Sequence, residues 1–303
     1  MSKLYHVCLS AGNEVMYRSD EDYIRGFNCL AVALHRTGSK LLADSFMSTH
    51  NHTCVVTDNL KDLVYYHRAA YSRYFNRKYH RRGPLGERYP FTIDIIGVYH
   101  RIAALSYTLR NALHHGVSPT PFGYAHNSSN VIFQKELGKA VTTDLLPGNK
   151  YYHYLPDKSE VPEHYKMSSS GLLLRESVID IPQVEYFYNT PRNFLFYMNR
   201  ISGEEWQKEQ ENEDGTAYTV ETIEQGVITS DISAMLKCEY GRENYRRLSD
   251  IQVCELIDNE ILSRYGVQSV YQLSAKAKIQ IANELWNKYH ISRDKIERCL
   301  VMQ

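Results

Sequence analysis

Two short groups of polar side chains have the types and spacing to do chemistry. The first is His50-Asn51-His52, at the start of a stretch, residues 50–56, that predicts a strand. Alternate residues of a strand point to the same face, so the two imidazoles share one side of the predicted sheet. Two histidines on one face are a common way to bind a divalent metal. The alternative is a chance His-x-His pair that binds nothing.

The second group is Tyr107 and Asn111, on a segment, residues 99–115, that predicts a helix ending at Gly116. Residues four apart share a helix face. This face lies away from the apolar stripe of the helix, and His114 is a further candidate on it. The alternative is an ordinary amphipathic helix with polar residues at the rim of its apolar stripe.

The elements that must position these groups follow from the apolar periodicity. Strands are predicted over residues 4–9, 41–47, 50–56 and 90–96. Helices are predicted from a cap at Ser19 or Asp20 to Gly38, from Asp58 to the Gly83-Pro84 pair, and over residues 99–115. The order βαββαβα is typical of an α+β fold, a ferredoxin-like sandwich with an antiparallel sheet and its helices on one face.

The second predicted helix and the residues after it are strongly basic. Between residues 65 and 82 there is no acidic residue, and the basic ones are Arg68, Arg73, Arg77, Lys78, Arg81 and Arg82. Five tyrosines interleave with them: Tyr65, Tyr66, Tyr71, Tyr74 and Tyr79. Basic residues mixed with stacking rings suit a groove for single-stranded nucleic acid. A solvated helix face with its tyrosine rings turned inward accounts for the pattern equally well.

The overall charge hides this basic segment. The chain has 303 residues with 35 basic and 35 acidic side chains, and 43% of its residues are hydrophobic. Residues 1–125 carry 15 basic and 9 acidic side chains, whereas residues 126–234 carry 9 and 17. This composition excludes a disordered, collagen-like or coiled-coil chain. The sequence has no apolar stretch of about 18 residues and no CxxC pair among its six cysteines, so we expect a cytoplasmic protein without a membrane partner.

Taken together, these segments resemble a known family, the single-tyrosine HUH (His-hydrophobic-His) transposases. Within it they are most similar to the REP-associated tyrosine transposases and their domesticated relatives. The matching stretches are FMSTHNHTCVV (46–56), YSRYFNRKYHRRGPLGE (71–87) and LSYTLRNALHHG (105–116). They occur in the family's order, and the resemblance covers roughly residues 4–120.

The resemblance implies roles for particular residues. His50 and His52 match the metal-binding histidines, Asn111 the third ligand and Tyr107 the nucleophile. It implies nicking and strand transfer on single-stranded or hairpin DNA through a covalent 5′-phosphotyrosine, a divalent cofactor (Mn²⁺ or Mg²⁺) and phosphate contacts from the basic residues. Since members of the broader family are monomers or dimers, a homodimer is a candidate assembly. The alternative is a domesticated DNA-binding regulator that has lost catalysis.

Two residues depart from the family pattern. The position between the two histidines is usually hydrophobic and packs under the sheet, but here it is Asn51. Thr53 replaces the usual large apolar residue after the second histidine. A buried asparagine needs a hydrogen-bond partner, so the surroundings of Asn51 bear on whether the site is intact.

Three parts of the chain are predicted. Residues 1–120 form the HUH domain, and residues 121–229 form a Tyr-rich and acidic extension or linker that includes an acidic run over 203–224. Residues 230–303 form a helical domain. Its last two helices, capped by Ser274 and Ser292, resemble a helix-turn-helix. The first is predicted to turn Ile279, Ala282, Leu285 and Trp286 inward, and the second carries Ile296 and Leu300. Plain helical packing or oligomerisation is the alternative.

Overall fold

Four strands and three helices alternate along the first 114 residues. The computed structural model describes residues 2–87, 89–200 and 248–302. The strands are β1 (Lys3–Ser10), β2 (Lys40–Phe46), β3 (His50–Thr57) and β4 (Phe91–Asp94). The helices are α1 (Asp20–Thr37), α2 (Leu60–Lys78) and α3 (Val98–His114). The predicted α+β class and the βαββαβα order are confirmed.

The four strands form one antiparallel sheet in the order β2-β3-β1-β4. β3 therefore lies inside the sheet, between β2 and β1. Its register places His50 opposite Ser10 and His52 opposite Cys8. All residues of β3 except Val56 are buried. Both faces of this strand are therefore covered, and every polar group on it must find a partner inside the protein.

The two faces of the sheet carry different helices. On one face, the Phe46 ring contacts Phe27 of α1 and His67 of α2, with centroid distances of 6.1 and 6.3 Å. On the opposite face, Cys54 Sγ lies 3.4 Å from Thr108 Oγ1 of α3. The prediction that the helices lie on one face therefore holds for α1 and α2 and is wrong for α3. Because β3 is buried on both sides, its second face needs a cover, and α3 provides it.

Residues 115–200 form turns and short helices, among them α4 (Arg175–Val178), α5 (Ile181–Tyr188) and α6 (Pro191–Asn199). Arg175 ties this segment to the sheet through a buried ion pair with Asp44 of β2, at 2.8 Å. The Tyr188 hydroxyl lies 2.8 Å from the hydroxyl of Ser106 on α3. This segment therefore packs on the sheet and on α3.

The C-terminal region is helical, with α7 (Asp250–Leu256), α8 (Ala275–Tyr289) and α9 (Arg293–Leu300). The predicted cap at Ser274 is confirmed, since its side chain accepts a hydrogen bond from the Ala277 amide at 3.2 Å. The buried row of α8 is Ala277, Ile281 and Leu285. The inward placement of Ile279 and Trp286 was wrong, because they lie off this i, i+4, i+8 row and are 54% and 48% exposed.

Two predicted features, the acidic run at 203–224 and the domain start at 230, lie outside the described residues. None of the helices in the described ranges is both long and apolar enough to cross a membrane.

A buried arginine joins the segment before α1 to the C-terminal helices. The Arg18 side chain donates from Nη2 to Asp258 Oδ1 and from Nη1 to the Cys299 carbonyl, both at 2.8 Å. Val15 lies within the apolar cluster of the C-terminal helices. Ser48, in the β2–β3 turn, donates to Asp250 at 2.6 Å. The C-terminal helices therefore pack against the loop and the turn that flank the start of β3.

We expect Arg18→Ala to lower the free energy of unfolding by about 1–3 kcal/mol. The variant removes the pair with the half-buried Asp258 carboxylate and the hydrogen bond to the Cys299 carbonyl. Lys3→Ala is the control: its ion pair with Asp94 is exposed (58% and 32%), so the loss should stay below about 1 kcal/mol. Urea denaturation of the two variants and the wild type measures both values. Equal losses would show that Arg18 does not hold the C-terminal helices in place.

Candidate metal centre and tyrosine site

His50 and His52 lie side by side on the face of β3 that α3 covers. Both side chains are fully buried. Their ring centroids are 5.0 Å apart and the rings are nearly perpendicular, at 82°. The alternation of the strand therefore brings the two imidazoles together, as the spacing predicted.

Helix α3 brings Tyr107 and Asn111 to the same place. The Tyr107 ring lies 5.4 Å from the His52 ring, edge to face. Asn111 Nδ2 donates a hydrogen bond of 3.3 Å to the Tyr107 hydroxyl. Both side chains are buried, Tyr107 at 4% exposure and Asn111 at 0%. The four residues singled out from the sequence thus form one cluster between β3 and α3.

A third histidine, His115, joins the cluster. It follows the last residue of α3, and its ring centroid lies 5.5 Å from that of His50. One ring nitrogen from each of His50, His52 and His115 lies within 4.8 Å of the others, so the three could hold a metal ion. His115 was missed in the sequence, although its position four residues after Asn111 places it on the same face. His114 is exposed, and its ring contacts Tyr107 at 5.7 Å.

The hydrogen bonds at the back of His50 and His52 select which ring nitrogen faces the cluster. Nδ1 of His50 bonds to the Thr49 hydroxyl, and Nδ1 of His52 bonds to Nε2 of His6, each at 3.0 Å. Within the described residues, Nε2 of His52 is buried without a hydrogen-bond partner, and so are Nε2 of His50 and Oδ1 of Asn111 apart from an interaction between these two side chains. Buried polar atoms of this kind require a partner, and a divalent cation fits these nitrogen and oxygen donors.

Burial favours the neutral form of His50 and His52, which is the form that binds metal. Burial lowers the pKa of His50 to about 4, against the opposing effect of the Asn111 side chain. Burial also lowers the pKa of His6 to about 3. The pKa of His52 lies well below its ordinary value, first because of burial and then because of the neighbouring imidazoles. Metal ligation needs the unprotonated imidazole, so at neutral pH no proton has to be displaced from His50 or His52.

Asn51 points to the opposite face of the sheet from the two histidines and has a partner there. Its Nδ2 donates a hydrogen bond of 2.8 Å to the Tyr17 hydroxyl. The Tyr17 ring packs against Phe46 at 5.3 Å and against Tyr71 at 5.1 Å. The polar residue between the histidines is therefore part of the layer between the sheet and α1–α2. Tyr17 accepts from its amide nitrogen, and among the described residues its Oδ1 is buried without a partner.

Most of the basic residues proposed to contact DNA are bonded within the protein. Arg81 donates to Glu14 at 2.8 and 3.0 Å. Arg73 pairs with Asp157, and Arg68 donates to the carbonyls of Leu85 and Gly86, both at 3.3 Å. The fourth, Lys78, donates to Ser19 and Asp22, both at 2.8 Å. Arg77 and Arg82 are exposed. The assignment of the six to phosphate contacts stays a prediction, and these last two are best placed for it.

A buried carboxylate explains part of the tyrosine content. Asp22, fully buried at the start of α1, accepts hydrogen bonds from the hydroxyls of Tyr74 and Tyr79, at 2.8 and 2.6 Å. Tyr71 is buried too and donates to the Met16 carbonyl at 2.6 Å. Three of the five interleaved tyrosines therefore face inward. The other two, Tyr65 and Tyr66, are 65% and 37% exposed.

The basic helix and the histidine cluster lie on opposite faces of the sheet, because α2 packs on the Phe46 face. The loop after α2 reaches the end of the sheet nearest His50, where the Glu87 amide donates to the Ser10 carbonyl at 2.9 Å. Ser10 is the register partner of His50. A single strand of nucleic acid that contacted both the basic residues and the histidine cluster would have to pass around this end of the sheet.

Neither a protein-family model nor a curated protein matches this sequence. A solved structure that the chain resembles is that of a REP-associated tyrosine transposase bound to a REP hairpin. The TM-score is 0.36 at 10% sequence identity, over 45% of this chain and 79% of that chain. A similarity at this level supports no inference about function.

Replacing Tyr17 with Phe should lower the free energy of unfolding by about 1–3 kcal/mol, because the Asn51 amide would lose its buried hydrogen-bond partner. The double variant Asn51→Leu/Tyr17→Phe removes both polar groups and should be more stable than Tyr17→Phe alone. Thermal or urea unfolding of the three proteins gives the comparison. A double variant that is no more stable than Tyr17→Phe would contradict the pairing of these two side chains.

Proposed function

We propose that this protein nicks single-stranded DNA, hairpin-bearing DNA included, and transfers the cut strand through a covalent 5′-phosphotyrosine at Tyr107. One observation carries the proposal: a tyrosine hydroxyl, the Asn111 amide bonded to it and two histidines with Nε2 facing inward share one site between β3 and α3. A chance His-x-His pair would not meet the Tyr-Asn pair in this way.

The reaction is a transesterification. The Tyr107 hydroxyl oxygen attacks phosphorus, a tyrosyl phosphate ester forms at the 5′ side, and the bond from phosphorus to the 3′ oxygen breaks. The proton that leaves tyrosine ends on the 3′ oxygen as a hydroxyl. One ester replaces another, so attack by a 3′-hydroxyl on the phosphotyrosine reverses the step without ATP. The bond from Asn111 Nδ2 orients the tyrosine hydroxyl.

His50, His52 and Asn111 are the residues we propose to hold a divalent metal ion. When bound there, the ion supplies positive charge for a non-bridging phosphate oxygen. The chain's own part is to keep both imidazoles neutral and to fix their Nε2 atoms toward the tyrosine. The hydrogen bonds of Nδ1 with the Thr49 hydroxyl and the His6 ring fix this orientation.

The burial of Tyr107 favours a second candidate function. With Tyr107 at 4% exposure, a phosphate reaches it only if the cover of the site opens. A DNA-binding regulator on the same fold, with catalysis lost, needs no such opening. The two candidates differ in one outcome, the formation of a covalent bond between DNA and Tyr107.

The decisive test is incubation with hairpin-bearing single-stranded oligonucleotides and Mn²⁺, Mg²⁺ or Co²⁺ in parallel, followed by denaturing electrophoresis. We expect an SDS-stable protein–DNA adduct that disappears in Tyr107→Phe, because the phenylalanine has no attacking oxygen. The matched control is Tyr188→Phe, which removes another buried hydroxyl next to α3 and should keep the adduct. Hairpin binding by the wild type without any adduct would favour the regulator and contradict the nicking activity.

The two exposed arginines give a second, independent test of DNA binding. Each phosphate contact contributes about 0.7 to the slope of log affinity against log salt on single strands. Replacing both Arg77 and Arg82 with Ala should therefore reduce the magnitude of that slope by about 1.4. A charge-matched control, Lys135→Ala with Lys150→Ala, removes two exposed positive charges elsewhere and should leave the slope unchanged. Fluorescence anisotropy over a salt series measures it.

A further inference from the structure

We infer that the metal centre is a three-imidazole site, with His115 as the third nitrogen ligand, and that it selects a late first-row divalent ion such as Zn²⁺, Co²⁺ or Ni²⁺ over Mg²⁺. The inference deepens the proposed function and rests on it for the location of the site. It differs from the resemblance, which implies two histidines, Asn111 and Mg²⁺ or Mn²⁺.

The first support is the position of His115. It lies eight residues after Tyr107 and four after Asn111, so the end of α3 returns it to the face that carries both. Its side chain is 7% exposed. One of its ring nitrogens is within 4.8 Å of those of His50 and His52. Two histidines of β3 and the one that follows α3 thus converge on one buried point.

The second support is the chemistry of the donors. The group of ligand side chains found in the described residues is His50, His52 and His115, with no carboxylate among them. Mg²⁺ prefers oxygen ligands and keeps several of its waters. Imidazole suits Zn²⁺, Ni²⁺, Cu²⁺ and iron. Three imidazole nitrogens in a buried site do not provide the charged oxygen that Mg²⁺ prefers.

The third support is the way His50 and His52 are held. The hydrogen bonds between Nδ1 of each ring and the Thr49 hydroxyl or the His6 ring engage Nδ1 and leave Nε2 toward the cluster. Hydrogen bonds of this kind to the far nitrogen fix the orientation and tautomer of metal-binding histidines. Thr49 and His6 are therefore positioning residues of the centre. The buried Asn111 side chain, which interacts with His50, offers its oxygen as a fourth possible donor.

The test is direct metal binding by the full chain after treatment with a chelator. We expect Co²⁺ to give the visible absorption of a site with nitrogen ligands, Zn²⁺ to displace it, and Mg²⁺ in large excess to leave the spectrum unchanged. His115→Ala should weaken Co²⁺ binding by more than the roughly 10–100-fold that loss of an outer-shell partner causes. His164→Ala removes an exposed histidine elsewhere and should bind as the wild type does.

Thr49 offers a matched pair that separates positioning from folding. Thr49→Val keeps the shape and loses the hydroxyl, so it should weaken Co²⁺ binding by about 10-fold or more. Thr49→Ser keeps the hydroxyl and should restore binding. Circular dichroism confirms folding of each variant. If His115→Ala does not fold, Co²⁺ binding by His115→Gln and the Co²⁺ spectrum of the wild type test the role of His115 instead.

The outcomes separate this inference from the proposed function. Displacement of Co²⁺ by Mg²⁺, unchanged binding in His115→Ala, or no binding of any ion would overturn the inference. A DNA adduct formed with Mg²⁺ alone would overturn it while leaving the nicking activity standing. Tight Co²⁺ binding that depends on His115, with no adduct under any metal, would leave the three-imidazole centre in place and remove the nicking activity.

Discussion

The burial of β3 on both faces is the constraint on which the rest of this structure depends. A strand with a period of two sends His50 and His52 to one face and Asn51 and Thr53 to the other. Since water reaches neither face, each polar side chain must bond inside the protein. Asn51 bonds to Tyr17 under α1 and α2. The histidines bond through Nδ1 to Thr49 and His6, which leaves Nε2 for a cation.

A second constraint is the neutralisation of charge inside the fold. Asp22 and Arg18 are both buried near the junction with the C-terminal helices, and each is surrounded by opposite charge or by hydroxyl donors. The positive charge of α2 and its following loop is largely committed to these and similar pairs. The number of basic residues in a segment gives its total positive charge. Only the exposed basic residues that are not paired within the protein determine the electric field that a nucleic acid meets. Here that exposed part is centred on Arg77 and Arg82.

The C-terminal helices share a boundary with the sheet domain through this same junction. Val15 packs in their apolar cluster, and Ser48 and Arg18 bond to their acidic residues. The loop before α1 and the turn before β3 are thus braced from outside. Since Thr49 and His50 follow Ser48 directly, the packing of the C-terminal helices is coupled to the start of the strand that carries the proposed metal ligands.

Local patterns in the sequence determined the elements and the four residues that meet at the site. Strand alternation, helix spacing and the caps at Gly38 and Ser274 depend only on neighbouring residues, so the order of strands and helices and the pairing of His50 with His52 and of Tyr107 with Asn111 could be predicted. Tertiary packing decided the rest. Four features depend on contacts between residues far apart in the chain. They are the face that α3 covers, the burial of Tyr74 and Tyr79, the pairing of Arg81 with Glu14, and the position of His115 beside His50. No local period encodes such contacts, because they arise only when the helices close over both faces of the sheet.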